Sequence, residues 1–463
     1  MRFSVDRTWR RPDNGDVVIG GSPTRAFRLT PTGRRIAEAL ERGDDVADDA
    51  TTLVDRFVDA GAIHPLADPA VHSISGTSIT AVIPVHLGNT ADGAGLGQLV
   101  TNLAGLAAVI VVDDASPLPL PAFTAGDTPV RVVRRETNGG PAAARNSGLA
   151  HVETTHVAFL DADVNCCADD IVALGAWLAA AKASAIAPRV RTDDDGTVLG
   201  AYEAARSPID MGDHPARVRG GTRVSYVPAA VLLCDVDVVR SIVGFDESLR
   251  TGEDVDFIWR LDAAGLRCRY EPSIEVFHER RRTIGEMLHQ RSGYGESTAR
   301  LHARHGEKVA PAKGSWSSVS SWVALFLGLP VVAAIGAATT AVMLSRKLRF
   351  VPNVAVESAR LAWMSHLRVG RNLASAVTRV WWPIAVVLAL FSRRARVAIC
   401  AAALVPALAE WWEKRPRLDP VRFTLLRIVD DAAYGTGVWK AAWRARDAGA
   451  ILPSITMPET QNG

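Results

Sequence analysis

Cysteine is scarce in this sequence, and an apolar leader is missing from its start. The five cysteines among 463 residues form neither a CxxC pair nor a disulfide framework, which excludes a paired-cysteine zinc site and a disulfide-stapled secreted domain. The opening stretch, MRFSVDRTWRRPDNGD, lacks the apolar core of a signal peptide. We therefore expect reduced, mostly buried cysteines and a front region that stays in the cytoplasm.

A strong charge imbalance is also missing from the chain as a whole. The formal net charge is +2, which gives no reason to expect nucleic acid as the main partner. Hydrophobic residues make up 48% of the chain, near the globular average, yet the long apolar runs are concentrated in its last third. The length allows two to four domains, and the uneven distribution indicates that the last of them contacts a membrane.

Residues 1–75 predict a small front domain. After two short strands, Thr30 and the proline that follows open a helix that ends near Gly43, and a second helix is expected over residues 50–60. This order predicts a winged-helix-like unit. Its second helix carries two aspartates and one arginine, a composition that repels the phosphates of nucleic acids.

Residues 76–285 predict an α/β domain. The apolar run ITAVIPV reads as a strand that is covered on both faces, as in a parallel sheet, and AVIVVDD, VRVVRR and THVAFLD read as further strands. Helical segments separate them in the order strand, helix, strand, strand, helix, strand, which is typical of a doubly wound nucleotide-binding sheet. We therefore expect a ligand site beyond the carboxyl ends of these strands.

Two carboxylates, Asp161 and Asp163, directly follow the strand THVAFL. Alternating residues at a strand end can face one ligand, and a hard cation such as Mg²⁺ or Mn²⁺ suits carboxylates that also meet substrate phosphates. The competing interpretation is that both residues only begin a loop and cap the next helix. Farther on, His278 offers either an imidazole for the same metal or a structural hydrogen bond.

The segment NGGPAAARNSGL contains Gly139, Gly140 and Arg145. The glycines allow the backbone to approach a ligand closely, or they serve only as a turn, and the helix that begins here offers N–H groups to a diphosphate. It is not a P-loop, because no GKS or GKT follows. Arg145 can pair with phosphate or lock the acidic strand ends together, and both roles belong in one site.

Glu253 and Asp254 lie where a loop meets a predicted helix. Thr251 and Asp254 have capping-box spacing, which explains Asp254 as a structural cap. The same position suits a carboxylate that accepts a hydroxyl proton, and Glu253 is the competing candidate for that role.

These motifs follow the order and approximate spacing of family 2 glycosyltransferases, which the region of about 200 residues resembles. The resemblance implies a GT-A fold that binds a nucleoside diphosphate sugar and transfers the sugar with inversion, with Asp254 as general base. It further implies metal binding by Asp163 and His278. The residues that the resemblance assigns to nucleotide-sugar binding are Pro84, Asp113, Asp114, Gly139, Gly140, Arg145 and Asp161, the last of them on ribose or metal.

The last third is predicted to contain connecting helices over 286–317, membrane-associated helices over 318–415 and a helical tail over 416–463. Its apolar runs are interrupted or short, and basic residues flank every one of them. Sequential crossings would place a basic cluster outside, against the positive-inside tendency. We expect kinked or re-entrant hairpins and interfacial helices at the cytoplasmic face of the cell membrane, with two true spans or buried soluble helices as alternatives. The runs cover residues 322–344, 380–391 and 397–409.

Nearly the full chain resembles the glycosyltransferases of mycofactocin biosynthesis, through the combination of these regions and the tail motif DDAAYGTGVW. The front region resembles a PqqD-like peptide-recognition domain. The resemblance implies transfer of glucose from UDP-glucose to a peptide-derived redox cofactor or its precursor, building a β-1,4-linked chain. A membrane-associated enzyme that makes a cell-envelope polysaccharide or glycolipid is the alternative, and a non-enzymatic membrane adaptor is disfavoured by the intact acidic motifs.

Overall fold

We describe a computed structural model of the chain over residues 2–46, 51–88 and 93–456. Contacts divide the chain into two compact units. The first, here called the sheet unit, comprises Met1–Arg11, Val18–Asp194 and Arg206–Arg280. The second, the helical unit, comprises Pro12–Val17, Asp195–Ala205 and Arg281–Gly463.

The front region forms two small sheets of two strands each, together with two helices. Thr30 caps the first helix by accepting a hydrogen bond from the N–H of Gly33 at 3.1 Å, and Gly43 ends it with φ 75°. Both predicted ends of that helix are confirmed, whereas Ala50, the predicted start of the second, lies outside the described residues. The strand pairs are β1 with β4 and β2 with β3. The elements are β1 (Phe3–Val5), β2 (Val17–Gly20), β3 (Arg25–Arg28), α1 (Pro31–Arg42), α2 (Thr51–Ala60) and β4 (Ile63–Pro65).

The next stretch of chain alternates strands and helices as the sequence predicts. Its strands are rich in β-branched residues, and the central ones are almost fully buried. In chain order the elements are β5 (Ile79–Val85), α3 (Gly93–Asn102), β6 (Ala108–Asp113), β7 (Val130–Arg134), α4 (Pro141–Leu149), β8 (His156–Leu160), β9 (Val164–Asn165), α5 (Ala168–Ala180), β10 (Ala185–Arg191), α6 (Val198–Arg206), β11 (Ala216–Val218), β12 (Val231–Asp235), α7 (Val236–Ser241), α8 (Glu253–Ala263) and β13 (Cys268–His278).

These strands build one nine-stranded mixed sheet with the order β11-β13-β10-β12-β8-β5-β6-β7, and β9 pairs with β13. The strands β7, β6, β5 and β8 are parallel neighbours, so their carboxyl ends meet at one edge. The strand β12 lies antiparallel between β8 and β10, which makes the sheet mixed. The predicted α/β class is confirmed, and the acidic strand ends lie on the same edge.

The remaining chain is helical apart from one short parallel strand pair, β14 with β15. Buried ion pairs stabilise its interior: Arg291 donates to Glu203 at 2.5 Å and to Asp430 at 3.1 Å. The elements are α9 (Ile284–Glu296), α10 (Thr298–His305), β14 (Lys313–Ser315), α11 (Trp316–Phe326), α12 (Pro330–Lys347), α13 (Val354–Arg379), α14 (Trp382–Phe391), α15 (Arg393–Lys414), α16 (Pro420–Ala445) and β15 (Ser454–Thr456).

The apolar runs of this region do not all form straight helices. The run over 322–344 is divided, because a turn at 327–329 separates α11 from α12. The run over 397–409 lies inside the longer helix α15, which among the described helices is the one with the length and hydropathy to cross a membrane by itself. The helices α13 and α14 pass the same test only as a pair, and they meet at an angle of 87°.

Candidate active site

Three of the predicted site residues converge where β8 ends. Asp161 and Asp163 follow this strand, and the pairing of β9 with β13 places His278 opposite Val164, next to Asp163. Each of the three side chains offers one ligand atom, and these atoms lie within 4.8 Å of one another. The sheet therefore brings together the two carboxylates and the imidazole that the sequence proposed for a metal.

Hydrogen bonds fix the orientation of the His278 ring. Its Nδ1 lies 2.7 Å from the carbonyl oxygen of Glu279, which can only accept, so Nδ1 carries a proton and Nε2 faces Asp163 at 3.1 Å. The N–H of Glu279 in turn donates to the carbonyl of Asp163 at 2.8 Å. Burial by itself lowers the pKa of His278, but the hydrogen bond to Asp163 and the nearby carboxylate charges raise it above its ordinary value. Such second-sphere bonds orient histidine ligands in metal sites.

Arg145 connects this cluster to the second pair of predicted carboxylates. Its buried guanidinium donates to Asp161 at 2.6 Å and to Glu253 at 2.8 Å, and it lies 5.3 Å from the ring centroid of Phe245. Burial lowers the pKa of Arg145, yet the two carboxylates outweigh that effect and raise it well above the usual range. These bonds join the residue after β8 to the start of α8, and the predicted contact of Arg145 with phosphate stays a prediction.

Asp254 is not a helix cap. The helix α8 begins at Glu253 with Gly252, at φ 78°, in the capping position and with no side-chain cap bond. The capping-box interpretation is therefore wrong, because that spacing requires Thr251 as the N-cap, whereas Gly252 holds this position and the helix begins one residue later than the spacing requires. One carboxylate oxygen of Asp254 accepts the N–H of Val255 at 2.7 Å. Burial, reinforced by the charge of Glu253, raises the pKa of Asp254 to about 7.

The two neighbouring carboxylates have different surroundings. Glu253 is buried and paired with Arg145. Asp254 has a pKa close to neutral pH, where a carboxylate can both accept and release a proton. The geometry thus favours Asp254 over Glu253 as a proton acceptor.

The carboxylate of Asp114 binds the backbone of the glycine-rich turn. It accepts the N–H groups of Gly139 at 2.9 Å and Gly140 at 2.6 Å, and Arg135 also donates to it. A Cβ on Gly139 would lie 2.3 Å from the guanidinium of Arg135, and one on Gly140 would lie 3.0 Å from Arg250. The glycines make room for two arginines, and their N–H groups bind a carboxylate of the chain itself.

The remaining two predicted residues lie at the ends of β5 and β6. Pro84 pairs with Val112 across these strands. The Asp113 carboxylate accepts the N–H of Ser116 at 2.8 Å and a hydrogen bond from Arg134 at 2.6 Å. Their predicted contacts with a nucleotide stay predictions, as do those of Asp114 and the glycines.

Sequence reasoning missed the arginines that surround the acidic edge. Arg134 ends β7 and Arg135 follows it, and the register of the sheet places Arg134 beside Asp113. A signal for them was present, since the predicted strand VRVVRR itself ends in two arginines and follows a strand that ends in two aspartates. Arg250, which donates to the backbone carbonyl of Asn138 at 2.9 Å, had no such signal because 112 residues separate the two.

The site thus consists of two sets of residues, each held together by its own hydrogen bonds. One joins the possible metal ligands through Arg145 to Glu253 and Asp254, and the other holds the turn 138–140 on Asp114. Together they can bind a cation beside a group that exchanges a proton near neutral pH.

Comparisons with known proteins agree with this chemistry. The sequence model of Glycosyl transferase family 2 matches residues 80–233. The chain is 35% identical over 466 aligned residues to the pre-mycofactocin glycosyltransferase of Mycobacterium tuberculosis, with 97% of each chain covered. It is 28% identical over 202 residues to succinoglycan biosynthesis protein ExoO of Rhizobium meliloti, covering 39% of this chain and 54% of that protein.

Among solved structures, this chain is similar to mannosyltransferase PcManGT from Pyrobaculum calidifontis in complex with GDP-Man and Mn²⁺. It superimposes with a TM-score of 0.43 at 14% identity, covering 82% of this chain and 90% of that one. The sheet region has the GT-A fold that the family resemblance implied. Because the similarity to the Mycobacterium tuberculosis enzyme extends over almost the whole of both chains, this chain belongs to the pre-mycofactocin glycosyltransferase family, with a family 2 glycosyltransferase domain.

Proposed function

We propose that this enzyme transfers glucose from UDP-glucose, with inversion, to a mycofactocin precursor and extends it as a β-1,4-linked chain. The observation that carries the proposal is the connected acidic group, in which Arg145 joins Asp161 to Glu253 and Asp254 follows directly. The acceptor is inferred from the relative with 97% coverage, whose name specifies pre-mycofactocin.

The reaction needs one displacement and one proton transfer. The acceptor hydroxyl oxygen forms a bond to the anomeric carbon, while the bond from that carbon to the diphosphate oxygen breaks and UDP leaves with the electron pair. Asp254 takes the hydroxyl proton as its carboxylate, because its pKa of about 7 leaves a substantial ionised fraction at neutral pH. No covalent intermediate with the enzyme is required for inversion.

The residues present fit a divalent cation. Two carboxylates and an imidazole whose Nε2 faces them form a donor set that suits Mg²⁺ or Mn²⁺, and we assign it to Asp161, Asp163 and His278. When bound, such a cation would stabilise the negative charge on the departing diphosphate. Arg145 and Glu279 hold two of these ligands in place through the bonds described above.

The front region offers a place for the peptide part of the acceptor. A groove of about 390 Å³ lies between β3 and α2 and is lined by Arg25, Ala26, Phe27, Arg56 and Asp59. The strand β3 pairs with β2 in a two-stranded sheet, so an extended peptide can add to its other side. We assign this groove to peptide docking, in line with the PqqD-like resemblance.

The location that we propose is the cytoplasmic face of the cell membrane. Many large apolar side chains of α11 to α15 are exposed, including Val331, Leu390 and Phe391. Soluble proteins rarely expose so much contiguous apolar surface, which supports a lipid neighbour.

The test is glucosyl transfer from UDP-glucose in the presence of Mn²⁺ to a small phenolic acceptor derived from the precursor peptide. We expect Asp163→Ala to lose the Mn²⁺-dependent release of UDP. Asp254→Asn should bind UDP-glucose normally and lower transfer by about 10²–10⁴-fold, the usual contribution of a general base. Asp169→Asn, which changes an exposed carboxylate in α5, is the matched control and should behave like the wild type.

Different failures have different meanings. Binding of UDP-glucose without transfer to the peptide acceptor, but with transfer to a lipid-linked or polysaccharide acceptor, would replace the proposed acceptor by an envelope one. Absence of binding to any sugar nucleotide would contradict the enzymatic proposal itself.

A further inference from the structure

Charge is distributed very unevenly along the chain. Residues 1–280 contain 27 Lys and Arg against 39 Asp and Glu, a net of −12, whereas residues 281–463 contain 25 against 11, a net of +14. The small total charge conceals this asymmetry. A basic region rich in apolar helices is the composition expected of a surface that meets anionic lipid.

The contrast is sharpest in the helices α11 to α15. Residues 316–414, which contain these helices, hold eleven Lys and Arg against three acidic residues, and one of the three, Glu357, is buried. Exposed tryptophans, a residue type enriched at membrane interfaces, lie in and around these helices. They are Trp316, Trp363, Trp412 and Trp443.

Two helix connections in this region lie side by side. The turn at 327–329 joins α11 to α12, and Ser392 joins α14 to α15. Arg394, in the first turn of α15, donates to the carbonyl of Leu327 at 2.9 Å and thereby fastens one connection to the other. We call these two connections and the residues next to them the double tip.

The double tip combines exposed apolar side chains with exposed cations. Its apolar members are 44–85% exposed, and Phe391 is the most exposed of them. Its cations are Arg393, Arg394 and Arg396, all on the surface. Arg396 donates to the carbonyl of Ala389 at 2.9 Å, so one nitrogen of this guanidinium supports a helix end while its other donors remain for a ligand. The apolar members are Phe326, Leu327, Leu329, Leu390 and Phe391.

We propose that the double tip inserts into one leaflet of a bilayer and that its three arginines bind the phosphates of anionic phospholipids. This inference rests on the membrane location proposed above and adds the lipid class and the point of contact. Arginine suits the role because its planar fork binds phosphate oxygens in pairs. A second copy of the chain is a poorer partner, since it would bring two surfaces of high positive charge together.

The test is flotation of the full-length chain with vesicles of phosphatidylcholine alone or with three-tenths phosphatidylglycerol. The substitution R393Q/R394Q/R396Q should weaken binding to the anionic vesicles by about 100-fold, because each arginine near such a surface contributes roughly fivefold. The triple lysine variant at the same positions should retain most of the binding. L390S/F391S should weaken binding to both vesicle types.

The matched control is R34Q/R35Q, which removes two exposed charges from α1 and should leave vesicle binding unchanged. Circular dichroism checks that every variant is folded. Neither measurement requires a sugar donor, so failure of this inference is distinguishable from failure of the proposed transfer reaction.

Three outcomes would overturn the inference. One is equal binding of the wild type to neutral and anionic vesicles, and another is unchanged binding of the triple glutamine variant. The third is a wild-type dimer that the L390S/F391S substitution converts to a monomer, which would show that a second copy covers the double tip.

Discussion

Arg145 is the residue that determines the electrostatics of the active site. It is buried, and its two terminal nitrogens bind carboxylates from β8 and α8. Removing one partner of a buried ion pair usually costs about 3–5 kcal/mol, because the other charge is left uncompensated. Lysine cannot replace it, since one ammonium lacks the planar fork that reaches both carboxylates. Arg145 therefore has a structural role even when no nucleotide is bound.

If Asp254 is the general base proposed above, transfer should depend on pH near neutrality. Its pKa of about 7 means that the base form is depleted below pH 7, so we expect kcat/KM for the acceptor to fall tenfold per pH unit on the acidic side. Glu253→Gln removes the nearest charge that raises this pKa, so the midpoint of the profile should move to lower pH. The measurement is transfer at saturating UDP-glucose and Mn²⁺ between pH 5 and about 9.

Asp169→Asn provides the control for that profile, because it changes a carboxylate on the surface of α5. A midpoint that stays in place in Glu253→Gln would show that Asp254 is not the group that titrates.

At the scale of elements, β4 is attached to the catalytic sheet through a buried histidine. His64 lies 3.0 Å from Asp6 through Nε2 and 2.9 Å from the guanidinium of Arg269, on β13, through Nδ1. Because arginine only donates, Nδ1 accepts and Nε2 carries the proton that bonds to Asp6. The Asp6 carboxylate, the neutral His64 ring and the Arg269 guanidinium therefore form a continuous hydrogen-bonded series from the front region to the sheet.

This attachment should weaken in acid. Burial lowers the pKa of His64 to about 4, below its ordinary 6.5, so the neutral ring's contribution to stability is complete above pH 6.5 and is lost as the pH falls through 4. The protection factors of the amides in β1 and β4, which compare the observed exchange rate with the intrinsic rate at the same pH, should therefore fall between pH 6.5 and about 4. His64→Gln should show faster exchange at neutral pH and a flatter pH dependence than the wild type.

His289→Gln, an exposed change in α9, is the comparison variant and should leave that exchange unaltered. Protection factors of β1 and β4 that do not change with pH in the wild type would contradict the assigned role of His64.

At the scale of the whole molecule, the front region is part of the sheet unit and covers its edge. The edge strand β11 contacts α2, and Arg267 binds Asp59 at 2.8 Å while Arg223 binds Asp6 at 3.0 Å. An uncovered edge strand exposes unpaired backbone groups that promote aggregation. The front region therefore has a stabilising role in addition to the proposed peptide docking.

Removal of residues 1–65 should therefore lower the fraction of the protein that stays soluble. We expect the truncated chain to aggregate, as measured by size-exclusion chromatography in detergent, because β11 and the buried Arg269 lose their cover. Arg267→Gln breaks the two partly exposed ion pairs of Arg267 with Asp55 and Asp59 across the same boundary and should remain monodisperse. A truncated chain that elutes as sharply as the full-length one would show that the front region is an independent module.

Much of the local structure followed from the sequence alone. The apolar runs of the parallel strands, the ends of α1 at Thr30 and Gly43, and the acidic ends of β6 and β8 were all predictable. These features depend on residues close together in the chain: capping bonds span three residues, and a buried strand is recognised by its own composition. Motif order then led to the family and to most of the residues in the site.

The tertiary structure decided which of these groups meet. Arg145 binds Asp161, sixteen residues away, and Glu253, which is 108 residues away. The glycine turn binds Asp114 through N–H groups that the sequence had offered to a diphosphate. The spacing of residues along the chain does not predict either set of partners. Which groups meet depends on the order of the strands in the sheet, and burial makes it costly to leave a charge unpaired. The chain thus specifies its elements locally, whereas the ion pairs and proton affinities of the site arise only when the folded sheet brings distant carboxylates together.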